Sequence, residues 1–163
     1  FRTKSLQIRP LLSMSPIENC VIAYSLVPDI ISRKVDLRTP MIENRIQTMV
    51  RLAQAGWKIG LRFDPLIHGK GWKDLYEGLL TRVFTLIPSS SIHSVSYGSM
   101  RFPRAMFKTI TKLYPKEKLL SSKLINRNGT VSYSSTLETE MIDFCKHLST
   151  RYVPEEKIFK CSS

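Results

Sequence analysis

The chain has little of what catalytic and metal-binding sites are most often built from. Its three histidines, His68, His93 and His147, are not paired at a ligand spacing, which argues against a nuclease using a histidine and carboxylate metal cluster. No glycine-rich phosphate loop of the Walker type is present, and no serine or cysteine triad assembles from the motifs in view. The three cysteines, Cys20, Cys145 and Cys161, are odd in number, widely spaced and set within or beside apolar segments. They suit buried, reduced thiols of a cytoplasmic protein better than a disulfide framework. No apolar run approaches the roughly 18 residues needed to cross a bilayer, so no membrane insertion is expected. The chain starts at Phe1 rather than Met and is read as the carboxyl part of a longer protein.

Acidic residues are scarce as well. Against 25 Lys plus Arg stand 13 Asp plus Glu, a formal charge of +12, so the expected partner is a polyanion, nucleic acid before anionic membrane. With 163 residues, 42% of them hydrophobic, the chain can bury one real core. The positive charge is uneven. Residues 101–127 hold eight basic residues (Arg101, Arg104, Lys108, Lys112, Lys116, Lys118, Lys123 and Arg127) and one acid, Glu117, which is +7 of the +12. Arg104, Lys108 and Lys112 recur every four residues and so line one helix face. A solvated face is the plain reading of such a run, and a phosphate-tracking surface is the sharper one. The neighbouring Asn-Gly hairpin tilts the reading to the second.

What is present is an alternation of strands and helices. Residues 1–5 resemble the end of a strand; residues 19–26, 58–67 and 92–98 are strands, expected to be apolar on both faces as in a sheet covered by helices. Each turns polar at its carboxyl end, where open α/β sheets place their chemistry. The third is the most informative: Arg62, Asp64 and Pro65 end it, and His68-Gly69-Lys70-Gly71-Trp72 leads into a helix. In that helix Trp72, Leu75, Tyr76, Leu79, Leu80, Val83 and Phe84 follow helical periodicity. An earlier helix is expected to be capped by Thr39, with Pro40 in its first turn and Met41, Ile42, Ile46, Met49, Val50 and Ala53 buried. A third, from Arg104 to Tyr114, should bury Met106, Phe107, Ile110 and Leu113. Such alternation implies parallel pairing in an open sheet or part of a barrel.

After Pro115 the pattern changes. Residues 124–134 form a hairpin with its tip at 126–129, because Asn-Gly is a strong turn signal. Arg127 at that tip and Tyr133 on the return strand suit insertion into a groove or stacking on an extruded base, although an ordinary surface turn has the same chemistry. Ser135 and Glu138 are placed to form a capping box for a last helix, and residues 157–161 form a short final strand. The chain is expected to be one domain fragment, 1–163, with βα units over 1–115 and the hairpin, helix and final strand over 116–163.

Taken in order, Phe1-Arg2-Thr3-Lys4-Ser5, Ala23-Tyr24-Ser25-Leu26-Val27-Pro28, Ala55-Gly56-Trp57, Arg62-Phe63-Asp64-Pro65, Gly71-Trp72 with Tyr76, and Tyr97-Gly98-Ser99-Met100-Arg101-Phe102 resemble the carboxyl half of the spore photoproduct lyase family. The likeness extends over nearly the whole chain. It implies an α/β fold, the second half of a partial (β/α)6 barrel of the radical S-adenosylmethionine type with a C-terminal β-hairpin, helix and short strand. It also implies a DNA-repair lyase in which a [4Fe-4S] cluster reduces S-adenosylmethionine, and the resulting radical reverts a thymine photolesion. By that resemblance Lys4 and Ser25 would contact S-adenosylmethionine, as an ammonium and a hydroxyl suit its carboxylate and polar groups. Arg62 and Asp64 would shape the barrel mouth, unless they form an internal salt bridge, and Arg101, Lys112, Arg127 and Tyr133 would face DNA.

Two departures qualify the resemblance. The CxxxCxxC cluster motif is absent, as are the segments bearing the hydrogen-donating cysteine and its nearby tyrosines, so the cluster ligands would lie outside this chain. Ser132-Tyr133 stands where related proteins tend to have Arg-Tyr. The chain alone is therefore expected to be inactive unless the missing half is supplied, within one protein or as a separate chain. The competing reading is a non-catalytic nucleic-acid-binding fragment, the remnant of a split gene.

Overall fold

The structure is a computed structural model that describes residues 1–117, 119–120 and 123–161. Lys118 of the basic run lies outside the described residues. In chain order the first elements are β1 (Arg2–Thr3), α1 (Arg9–Leu12), β2 (Val21–Ser25), α2 (Asp29–Val35), α3 (Ile42–Gln54), β3 (Lys58–Leu66) and α4 (Trp72–Leu86). There follow β4 (Ile92–Ser99), β5 (Arg101–Pro103), α5 (Arg104–Leu113), β6 (Leu124–Arg127), β7 (Thr130–Tyr133), α6 (Ser135–Ser149) and, after one 3-10 turn, β8 (Ile158–Lys160). The short helices α1 and α2 carry too few apolar residues for periodicity to have announced them.

Five strands form a parallel sheet in the order β1-β2-β3-β4-β8, as the alternation predicts. Its two faces differ. Ile22, Tyr24, Leu26, Ile59, Leu61, Phe63, Val95 and Tyr97 enter one core with Met49 and Leu52 of α3, Leu80 and Val83 of α4, and Met141 and Cys145 of α6. Strand alternation and the register of Ser25 with Arg62, and of Ser96 with Phe159, put Ala23, Ser25, Gly60, Arg62, Asp64, Ser94, Ser96 and Phe159 on the other face. Strands apolar on both faces are thus not what forms: the helices cover one side, and the other is lined by small and polar residues.

The second sheet is antiparallel, ordered β5-β7-β6. Its turn is tighter than expected, because Asn126 and Arg127 belong to β6 and only Asn128 (φ 49°) and Gly129 (φ 84°) turn the chain. Two successive residues with positive φ make the turn that matches strand twist in a two-residue hairpin. Since β5 and α5 join this sheet, the small layer begins at residue 101, and β8 returns to the large one.

Two helix starts differ from expectation. α3 begins at Ile42 with no side-chain cap. The Thr39 hydroxyl instead donates to the Asp36 carbonyl (2.6 Å) and accepts from Arg45, so it is unavailable to the helix, and Met41 is exposed. α6 is capped by Ser134, whose hydroxyl accepts from the Leu137 amide (3.3 Å); Glu138 is engaged by basic side chains, and the box with Ser135 does not form. α4 follows the expected periodicity, entered through Gly71 in the left-handed region (φ 69°). α5 buries no residue: Met106 and Leu113 are 52% and 66% exposed, against the expectation that they lie inside.

Candidate functional site

The carboxyl ends of β1, β2, β3 and β4 converge on a cavity of about 510 Å³ whose polar wall is Arg2, Lys4, Ser25, Asp36, Asp64 and Arg101. Asp64 is its centre. Arg101 Nη1 donates to Asp64 Oδ1 (3.0 Å), Arg2 Nη1 lies 3.6 Å from Oδ2, and Arg2 Nη2 donates to the Asp64 carbonyl (2.9 Å). Arg2 Nε also donates to Ser25 Oγ (2.8 Å), so one guanidinium links two strand ends. Gly98 makes room for this: a Cβ there would come within 2.7 Å of Asp64 Oδ1 and 2.8 Å of Arg101 Nη1.

A second network stands behind the first. Lys4 Nζ pairs with the Asp36 carboxylate, whose other oxygen accepts from Arg45 Nη2 (3.1 Å). Arg45 is fully buried and also donates to the carbonyls of Ser25 (3.1 Å) and Pro40 (2.9 Å). A buried guanidinium is tolerable only with its donors satisfied, and here they are spent on fixing the strand end that carries Ser25 and the carboxylate that holds Lys4. Sequence reading singled out neither residue. Arg45 had a usable sign, a cation set between Ile42, Ile46 and Met49 on an apolar helix face. Asp36, in a loop, had none.

The residues expected at the site separate. Lys4, Ser25 and Asp64 share the cavity with Arg101, which was expected to face DNA, whereas Arg62 does not line it. Arg62 does not pair with Asp64 either. Its guanidinium turns back along the sheet to the Ser94 carbonyl (3.2 Å) and Ser94 Oγ (2.9 Å), with Phe159 beneath it at 5.4 Å. Burial, reinforced by the charge of Arg2 and opposed by Cys161, holds this guanidinium below its ordinary pKa. Beside it the Ser96 hydroxyl is buried with no hydrogen-bond partner among the described residues.

The hairpin residues also move from their expected places. Tyr133 is fully buried and its hydroxyl accepts from the His68 amide (3.0 Å), so its ring has no face to offer a base. Tyr76 does the same for the Ile67 amide (2.8 Å), and the two tyrosines together hold the loop that follows β3. Arg127 Nη2 pairs with Glu138 Oε2 (2.7 Å) rather than standing free at the tip. Lys112 is exposed on α5 beside Arg104 and Lys108, as its spacing predicts.

The cavity suits a small polar cofactor better than a metal. A space of about 510 Å³ lies within the range of ligand pockets, and Leu26, Val27, Met100 and Phe102 give it an apolar side. An ammonium, a hydroxyl and two guanidiniums converge there, the cations paired with the Asp36 and Asp64 carboxylates. No group of three His, Cys, Asp or Glu side chains able to hold a metal occurs among the described residues. The three cysteines are all unpaired thiols, and burial pushes the Cys145 thiol up to about 12. No helix among the described residues is long and apolar enough to cross a membrane.

The chain is similar to proteins of one known family. A sequence profile described as spore photoproduct lyase matches residues 1–158. Spore photoproduct lyase of Bacillus subtilis (strain 168) is 26% identical over 98 residues, which are 59% of this chain and 29% of that protein. The Clostridium acetobutylicum lyase is 26% identical over 119 residues, 73% of this chain and 35% of that protein. Among solved structures, a spore photoproduct lyase complexed with dinucleoside spore photoproduct superposes with a TM-score of 0.78 at 19% identity, covering 98% of this chain and 49% of that one. A double mutant with bound AdoMet and dinucleoside spore photoproduct gives a TM-score of 0.77 at 19% identity over the same shares. The chain thus spans about a third of the curated relatives and half of the solved ones.

Proposed function

The chain belongs to the spore photoproduct lyase family, and from that premise we propose that it is the carboxyl-terminal portion of a radical S-adenosylmethionine DNA-repair lyase, carrying part of the cofactor site and a DNA-facing surface. The five parallel strands are then an arc of a partial (β/α)6 barrel, working in the cytoplasm on thymine photolesions. The observation that carries the reading is the convergence of Lys4, Ser25, Asp64 and Arg101 on one cavity at the strand ends.

Lys4 and Ser25 would hold S-adenosylmethionine. When bound, that cofactor supplies the hydrogen-abstracting chemistry by which such lyases revert a lesion. The side chains of this chain bind and orient. Lys4 offers its ammonium to a carboxylate, Asp36 and Arg45 fix where that ammonium stands, and Arg2 and Arg101 hold the Asp64 side chain in place. The described residues do not form a cluster site, so the iron-sulfur ligands are assigned to a part of the protein outside this sequence. DNA is assigned to the exposed basic face of α5, Arg104, Lys108 and Lys112, leading toward the hairpin.

Two titrations test the reading. S-adenosylmethionine added to the chain should give saturable heat by calorimetry, lost in Lys4→Ala and restored in part by Lys4→Arg; equal binding by Lys4→Ala would remove Lys4 from the site. Duplex DNA should bind with a salt dependence that flattens by about one to two in slope when Lys108 and Lys112 are both replaced by Ala. DNA binding without any cofactor binding would favour the non-catalytic fragment.

A further inference from the structure

A second cavity, of about 640 Å³, opens between the hairpin and the end of β8, and nothing in the cofactor site explains it. Three cations line it, Arg101, Arg127 and Lys160, against one carboxylate, Glu138. That carboxylate serves two of them: Oε2 accepts from Arg127 Nη2 and Oε1 pairs with Lys160 Nζ, each at 2.7 Å. Arg101 spends Nη1 on Asp64 and on the Ser99 carbonyl, leaving Nε and Nη2 without a partner among the described residues. The Thr130 hydroxyl adds a neutral donor to the wall.

The arrangement differs from a plain surface ion pair. The Glu138 side chain is 13% exposed, whereas those of Arg127 and Lys160 are 39% and 57% exposed. The anion is therefore sunk in the floor while the cations reach over it into the opening. Their charge exceeds what one carboxylate neutralises, and guanidinium forks beside an ammonium match the several oxygens of a phosphate better than the two of a carboxylate. The cavity shares Ser99 and Arg101 with the cofactor cavity, so a strand that delivers a base to one has its backbone within reach of the other.

We propose that this cavity seats a backbone phosphate of the DNA strand, gripped by Arg127, Lys160 and Arg101, with Glu138 as the resident counter-ion that holds the two rim cations in place until the phosphate takes them. The inference rests on the DNA reading above and adds to it a defined phosphate seat. Arg127 keeps the DNA-facing role expected from the sequence, but from the wall of a cavity rather than from a hairpin tip.

The test uses the full chain and a fluorescein-labelled single-stranded thymidine oligonucleotide, followed by anisotropy at several salt concentrations. Lys160→Gln should weaken binding about threefold to tenfold and lower the salt slope by about 0.7, one phosphate contact on a single strand. Glu138→Gln should strengthen binding by a similar factor, a change of sign that a folding defect does not produce, while Glu43→Gln, on an exposed pair with Arg82, should leave it unaltered. If the Lys108→Gln and Lys112→Gln pair weakens binding but neither Lys160→Gln nor Glu138→Gln changes it, the phosphate seat is overturned and the DNA reading survives. If the unaltered chain does not bind the oligonucleotide at all, the DNA reading itself fails. Inorganic phosphate that binds with the same dependence on Lys160 and Glu138, beside an oligonucleotide indifferent to both, would make the cavity a free-anion site and overturn the proposal.

Discussion

Helices α3 and α5 carry similar amphipathic patterns and meet opposite fates. α3 lies on the five-stranded sheet and buries seven of its residues; α5 lies on the three-stranded one and buries none. The difference is in what each is laid against. α3 packs on the central strand β3 beside α2 and α4, so every turn of its apolar stripe meets another side chain. α5 packs chiefly on the short strands β5 and β7, and Met106 and Leu113 stay exposed. An apolar stripe becomes a core face only where enough surface exists to cover it. The same contrast governs charge: the large layer holds Arg45 buried with its donors satisfied, whereas Arg104, Lys108 and Lys112 stand exposed on the small one.

The contrast is easiest to break at Arg45. Replacing it with Ala should cost about 3–5 kcal/mol in urea unfolding, since it leaves the carbonyls of Ser25 and Pro40 without their donor and Asp36 with Lys4 alone. Leu61→Ala, at a fully buried position in the central strand, should cost about 2–5 kcal/mol by the same measurement. Alkaline pH offers a third approach. The Cys145 thiol is raised from an ordinary 9.0 to about 12 by burial, so the unfolded chain ionises first. Stability should hold below about pH 9 and then fall toward pH 12; the thiol contributes up to about 1.4 kcal/mol per pH unit, which Cys145→Ala removes, and Tyr24, Tyr76 and Tyr97, also raised by burial, add to the fall above about pH 10. In the small layer, Tyr133→Phe should cost about 1–3 kcal/mol, the penalty for leaving the His68 amide unpaired. Smallest of all, Met106→Ser with Leu113→Ser should shift stability by no more than about 0.5 kcal/mol each. A larger loss there would mean that α5 is packed after all, and the contrast with α3 would collapse.

How far the sequence carried depended on the range of the interaction. Parallel strands, α4 and the hairpin were legible because local periodicity and an Asn-Gly turn specify them. Lys4, Ser25 and Asp64 were marked through the order of their motifs and line one cavity; Arg101, expected on the DNA side, joins them there through its pair with Asp64. Arg62 was misplaced because strand alternation gives a side chain's face but not whether it bends forward to the mouth or back to Ser94. Tyr133 was misplaced because an aromatic residue beside a turn looks alike whether its hydroxyl faces solvent or a distant amide. Asp36 and Glu138 act through partners remote in sequence, in the case of Glu138 on two separate elements, and no local pattern marks such a role.

The hydrogen bond from the His68 amide to Tyr133 has a further use. It ties the hairpin sheet to the backbone of the loop after β3, so the hairpin cannot lift without freeing that proton to solvent. The Ile67 amide beside it is held by Tyr76 of α4 and stays protected whatever the hairpin does. Two adjacent amides thus form an internal gauge: the ratio of their deuterium exchange rates measures how often the hairpin opens, with the framework as its own reference.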